Sequence, residues 1–214
     1  MKVRSVCLAA AVVCVQLAAQ SRRVPLDPTF GPGRLVSPDG AYALFGSETA
    51  PELWVEDTRT HGRRMVFRVT LQTLSLAWSP DSAAFIANDR AVSDMEIAYI
   101  YDVKTLDRLD LRARLVAADP DAVRFFVPGQ VRPAPAEPPR GKVPSMSYVE
   151  ALHWIDSTHV EVALYGHTVG ERVRNSIEPG NCFDLRYRIA RDGAVQKLSQ
   201  HVSPITSQGC EAVE

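Results

Sequence analysis

Four residues that lie close in the chain offer metal-ligand chemistry: His153, Asp156, His159 and His167. Imidazole nitrogens and a carboxylate are the donors that zinc accepts. They do not form a His-Glu-x-x-His motif, and the residues around them read as turn and strand. The expectation is histidines that are exposed or hydrogen-bonded, with no metal and no cofactor. Asp39, Asp81 and Asp156 could form a carboxylate set for acid–base work. Each stands at the same place in a repeated motif, however, which points to turn construction. Nucleophilic catalysis wants a Ser or Cys poised by a His and an acid, and no Gly-x-Ser-x-Gly elbow occurs. Arg172, Arg174, Arg186, Arg188 and Arg191 form a local basic cluster near Glu171. Separated guanidinium groups bind carboxylates bidentately. Glu171, Arg172, Arg174, Arg186 and Arg188 are therefore the candidate binding residues, for an acidic partner surface; the bland reading is a solvated face.

These side chains must be held by repeated elements. Ser37-Pro38-Asp39-Gly40 recurs as Ser79-Pro80-Asp81-Ser82, a spacing of about 42 residues that suits one four-stranded propeller blade. Short apolar runs follow both copies, Ala41 to Phe45 and Ala83 to Ala87. Strand patterns follow at Glu52 to Asp57 and Arg64 to Val69, and again at Ile97 to Asp102 and Leu106 to Leu111. A worn third copy starts at Ala151-Leu152-His153-Trp154-Ile155-Asp156. It continues as a strand at His159 to Tyr165, an alternating strand at Phe183 to Ile189, an Asp192-Gly193 hairpin turn and a return strand at Ala194 to Leu198. Trp78 and Trp154 hold equivalent positions, which predicts a core role between blades. Residues 119–144 carry seven of the chain's 15 prolines and read as a linker or surface arm on which Phe125-Phe126-Val127 docks to the body. Residues 167–181 are a second insertion.

Bulk properties narrow the field. The chain has 214 residues, 46% hydrophobic and 23% charged, enough to bury a core. A net charge of -1 provides no basic field for nucleic acid. Lys2 and Arg4, then the apolar Val6 to Val15, then small residues to Ser21 follow the order of a secretory signal peptide. That apolar run is short for a membrane span, so no span is expected once residues 1–21 are removed. Cys7 and Cys14 lie within it. An exported chain then keeps Cys182 and Cys210, an even remainder that favours a disulfide over two free thiols. The expected location is periplasmic or secreted. Residues 22–33 read as an extended entry segment, and 34–214 as the β-repeat domain.

The Pro-Asp turns and their flanking strands resemble the TolB-like (WD-repeat-like) β-propeller repeat, well over residues 34–111 and weakly over 150–199. In that family the Pro-Asp turn links the innermost strand of a blade to the next. The resemblance implies an all-β fold of antiparallel sheets arranged as propeller-like blades, and three copies are too few for a closed ring. Residues 112–148 could supply a degenerate blade, chains could associate, or the stack could stay open. A β-sandwich is the alternative fold. The implied function is an exported, non-catalytic binding or interaction protein recognising a protein partner, or itself, through blade loops. The alternative is a hydrolase or lyase using the loop face, with His153, Asp156 and His167 converging in a pocket.

Overall fold

Each Pro-Asp turn closes a strand pair by the same hydrogen bonds. In the first, Ser37 Oγ donates to Asp39 Oδ1 at 2.6 Å, Ala41 N donates to Asp39 Oδ1 at 3.0 Å, and Tyr42 N donates to Ser37 Oγ at 3.0 Å. Ser79, Asp81, Ala83 and Ala84 repeat the pattern at 2.6, 3.2 and 3.0 Å. Gly40 (φ 74°) and Ser82 (φ 60°) occupy the same left-handed position. Glycine takes it freely, whereas a side chain costs about 1 kcal/mol there. In the worn copy, Asp156 Oδ1 accepts from Thr158 N and His159 N at 2.7 and 2.8 Å. The repeated aspartates are turn builders.

The structure, a computed structural model, describes residues 24–26, 33–47, 50–69, 73–92, 95–127, 144–173, 176–206 and 210. The signal-like residues 1–21, with Cys7 and Cys14, lie outside them, as do residues 128–143 of the proline-rich arm. Within the entry segment, β1 (Val24–Leu26) is extended. The first blade is β2 (Arg34–Val36), β3 (Tyr42–Gly46), β4 (Glu52–Asp57) and β5 (Arg63–Arg68), paired in sequence order. The second is β6 (Thr73–Trp78), β7 (Ala84–Val92), β8 (Met95–Asp102) and β9 (Arg108–Asp110), with β1 added antiparallel along the edge of β6.

Here the chain departs from the sequence expectation. The return strand stops at Asp110, and α1 (Leu111–Ala118) follows. Its residues, Leu-Arg-Ala-Arg-Leu-Val-Ala-Ala, are mostly good helix formers. The Asp110 carboxylate caps it by accepting from Ala113 N at 3.0 Å. A 3₁₀ turn over Pro120–Phe125 comes next, and Phe125 and Phe126 are buried, docking the start of the arm on the body. Among the described residues of 112–148, strand occurs only at the beginning of β10 (Pro144–Trp154). With β11 (His159–Thr168), a side hairpin of β12 (Glu171–Val173) and β13 (Ser176–Glu178), then β14 (Asn181–Ala190) and β15 (Val195–Pro204), this makes the third blade, ordered β10-β11-β14-β15.

The sheets stack in chain order rather than pairing as a two-sheet sandwich. Leu44, Leu53 and Val55 of the first blade pack on Leu74, Leu76 and Phe85 of the second. The opposite face of the second blade, with Ala77, Ile86 and Ile100, packs on Val149, Val162, Leu164 and Leu185 of the third, where Leu111 and Leu115 of α1 join. Burying one such large side chain contributes roughly 1.5–3 kcal/mol. The two tryptophans mark the junctions identically. Trp78 Nε1 donates to Leu35 O at 2.9 Å, and Trp154 Nε1 donates to Ala77 O at 3.1 Å. Asn88 adds a clamp on the β10 backbone, donating to Ala151 O at 3.0 Å and accepting from Ala151 N at 2.9 Å. Among the described residues, no helix is long and apolar enough to cross a membrane.

Candidate functional site

Strand alternation gives the third blade two unlike faces. Val149, Ala151, Val162, Leu164, Leu185, Tyr187 and Ile189 point inward and are buried. Between them stand Tyr148, Glu150 and Leu152 on β10, Tyr165 and His167 on β11, and Asp184 and Arg186 on β14, all half-buried. Register lines them into rows: Tyr148 lies opposite Tyr165, Tyr165 opposite Asp184, and Asp184 opposite His201 of β15. They line a cleft of about 430 Å³.

The aromatic part of the cleft is built from a cross-strand pair. The rings of Tyr148 and Tyr165 lie 5.2 Å apart at 31°. The Arg90 guanidinium reaches from the second blade to lie 5.5 Å from the Tyr148 ring centroid, and it pairs with Glu96 at 3.6 Å. Tyr165 Oη donates to Glu150 Oε2 at 3.1 Å. Burial, and next the Glu150 charge, push the Tyr165 hydroxyl well above its ordinary value, so it stays a donor at neutral pH. Arg186 grips Asp184 bidentately, Nε to Oδ1 at 2.6 Å and Nη2 to Oδ2 at 2.7 Å, with Glu161 at 3.9 Å. The contact with Asp184 raises the Arg186 pKa and fixes its charge. Cys182 and Cys210 also line this cleft and form a disulfide, with Cα atoms 5.6 Å apart. The bridge anticipated from the cysteine count pins the tail to β14.

The sequence-predicted residues distribute unevenly around this face. Arg186 sits in it and Arg188 is exposed further along the same strand. Arg186 is held by its own carboxylates, which removes the free fork expected for an acidic partner. Glu171 and Arg172 lie on the β12 backbone, with side chains outside the described set, and Arg174 lies outside the described residues altogether. Arg191 belongs to a junction, reaching Asp81 at 3.1 Å and Asp102 at 3.7 Å on the second blade.

The ligand-like histidine group does not converge. His153 pairs with Glu161 at 3.6 Å and Asp156 with His159 at 3.0 Å, near one end of the sheet. His167 lies opposite Met146, near the other end. At roughly 3.3 Å per residue the seven positions from His153 to Met146 along β10 span about 20 Å. Ser145 and His167 do share a hydrogen bond, Oγ to Nδ1, at 2.8 Å. The other nitrogen, Nε2, faces Met146 Sδ at 3.1 Å, so among the described residues no acid orients the pair as nucleophilic catalysis requires. Among the described residues no cluster of three His, Cys, Asp or Glu side chains could hold a metal ion.

Tyr148, Glu150 and Tyr165 were missed by sequence reading. Their signal is the alternation Tyr148-Val149-Glu150-Ala151-Leu152, masked by the preceding prolines.

Two of the solved structures to which this chain is similar are TolB proteins. TolB from Acinetobacter baumannii matches 81% of this chain at 17% identity, with a TM-score of 0.34. A candidate TolB from Agrobacterium tumefaciens matches 83% at 10% identity, with a TM-score of 0.36. At these identities the likeness concerns fold alone. The chain spans 32% and 53% of the lengths of those two structures. No protein-family model and no curated protein matches it.

Proposed function

We propose that this protein is an exported, non-catalytic interaction protein whose recognition surface is the outer face of the third TolB-like blade. The observation that carries the reading is the cleft itself. Two tyrosine rings, an acid–tyrosine hydrogen bond and an immobilised Asp184–Arg186 pair occupy this sheet face, whereas the faces that meet at the two blade junctions are apolar and buried. Rigid aromatic groups beside prearranged charges are what protein recognition favours, because little conformational entropy is lost on contact. The β12–β13 hairpin, which bears Glu171 and Arg172, joins β11 to β14 at the His167 and Cys182 end of the cleft and extends this surface. The basic-apolar-small N-terminus and the Cys182–Cys210 bridge favour an oxidising, exported location.

The test is site-specific photocrosslinking in the exporting cell. A crosslinker at Leu152 or His201 is expected to give one discrete protein adduct, and a crosslinker at exposed Ile155, at the turn, none. Equal labelling at all three positions, or none at any, defeats the reading.

A further inference from the structure

We propose that the corner formed by Ser145, Met146 and His167 binds a single copper(I) ion, held by His167 Nε2 and Met146 Sδ. The backbone builds this corner. Met146 of β10 lies opposite His167 of β11, and a β-bulge at Ser145 sets two residues of β10 against the one imidazole. Gly166 permits the close approach. A Cβ there would stand 2.0 Å from Met146 O and 2.9 Å from the Phe183 ring, so a side chain at this position would push β10 away from β11. Met146 and His167 are both half-buried, which leaves an ion a route from solvent. The site stands whether or not the blade face recognises a protein.

Hydrogen bonding fixes the imidazole. Ser145 Oγ lies 2.8 Å from His167 Nδ1 and donates to His167 O at 3.2 Å. A hydroxyl has one proton to give, and a carbonyl oxygen only accepts. Both contacts are hydrogen bonds when Nδ1–H donates to Ser145 Oγ and Ser145 donates to the carbonyl. Neutral His167 then carries no proton on Nε2. That nitrogen's lone pair faces Met146 Sδ at 3.1 Å, where the thioether has no proton to offer. The opposite tautomer gives up the bond to the carbonyl for an N–H···S contact, and a thioether is a weak acceptor. Two bare donors this close are what a cation joins. A neutral imidazole with its other nitrogen hydrogen-bonded is the form in which His ligates metals.

The donor pair selects the ion. Thioether sulfur is a soft ligand that favours Cu(I), and imidazole suits copper too. Zinc takes thiolate, imidazole and carboxylate donors in a fuller set. Among the described residues no three such side chains gather. The Met side chain is unbranched and flexible, so Sδ can widen its gap to Nε2 to admit the ion.

The test is anaerobic titration of copper(I), against a chromogenic chelator, into the full chain with its Cys182–Cys210 disulfide intact. Cys7→Ser and Cys14→Ser remove the remaining thiols, which would compete for the metal. The expected result is one ion per chain, with one sulfur and one imidazole nitrogen in the copper-edge X-ray absorption. Met146→Leu keeps the side-chain volume, so the circular dichroism spectrum is expected to stay unchanged while binding and the sulfur signal are lost. Ser145→Ala is expected to weaken binding about ten-fold by freeing the ring. Met65→Leu, at an exposed methionine of the first blade, is expected to bind like the parent chain. Nitrogen NMR of the metal-free chain at neutral pH is expected to find the His167 proton on Nδ1. No binding, binding untouched by Met146→Leu, loss of binding in Met65→Leu, zinc bound as tightly as copper(I), or a proton on Nε2 would each overturn the proposal.

Discussion

The two faces of the third blade share one backbone and differ in every other respect. Inward, Val149, Val162, Leu164 and Leu185 are fully buried against the second blade and α1. Outward, one residue along each strand, Tyr148, Glu150, Tyr165 and Arg186 keep partial contact with solvent. A period of two residues puts apolar packing and polar pairing on opposite faces of the same strands. The inner face is bound by area removed from water. The outer face is organised by hydrogen bonds and ion pairs that hold side chains in place without excluding solvent. The first blade repeats the contrast, with Leu44, Leu53 and Val55 inward and the Glu56–Arg34–Arg63 group outward.

Substitutions should separate the two kinds of face by size of effect. Trp154→Ala removes a buried indole and its bond to Ala77 O, and is expected to cost about 4 kcal/mol in urea denaturation. A loss under 1 kcal/mol would mean that the second and third blades are not packed as described. Asn88→Ala leaves the Ala151 N–H and C=O without their side-chain partner and is expected to cost about 2 kcal/mol in the same measurement.

The outer faces should respond instead to pH. The Glu56 carboxyl is held down to about 2 by Arg34 first and Arg63 next, against an ordinary 4.5. A depressed folded-state value means that the contribution is complete above about 4.5 and is lost as pH falls toward 2. Glu56→Gln is therefore expected to flatten the fall of Tm over that window, and an acid limb of unchanged slope would count against the pairing. The smallest effect belongs to Tyr165→Phe, which removes one half-buried hydroxyl donor. Stability should change by about 0.5 kcal/mol, while crosslinking from Leu152 should weaken. A large stability loss would make this face a structural one.

Much of this contrast is legible in the sequence because it lies in local patterns. The Ser-Pro-Asp turns announce themselves, since a carboxylate and a serine hydroxyl fix a turn by bonds within a few residues. The alternation of Phe183, Leu185 and Tyr187 with Asp184 and Arg186 reveals a half-buried strand. Trp78 and Trp154 stand out as equivalent core positions. The helix at Leu111–Ala118 is less visible: its apolar stripe is interrupted by Arg112 and Arg114, and it finds its place by packing Leu111 and Leu115 between blades. The cleft is less visible still. Tyr148 meets Tyr165 across a strand pair, and Arg90 arrives from another blade. Arg186 reads as a free cation in a list of arginines and becomes a partner of Asp184 only when both project from the same side of one strand.

The sequence by itself determined the blades, because repeated turns and two-residue alternation are short-range and write one sheet at a time. It also determined the Cys182–Cys210 bridge as far as parity allows. Only the tertiary structure decided which neighbours cover the apolar face of the third blade, and that His153, Asp156 and His167 stand apart. Those outcomes depend on which neighbour each sheet meets, and a neighbour some 60 to 80 residues away along the chain leaves no local pattern at the positions it will touch.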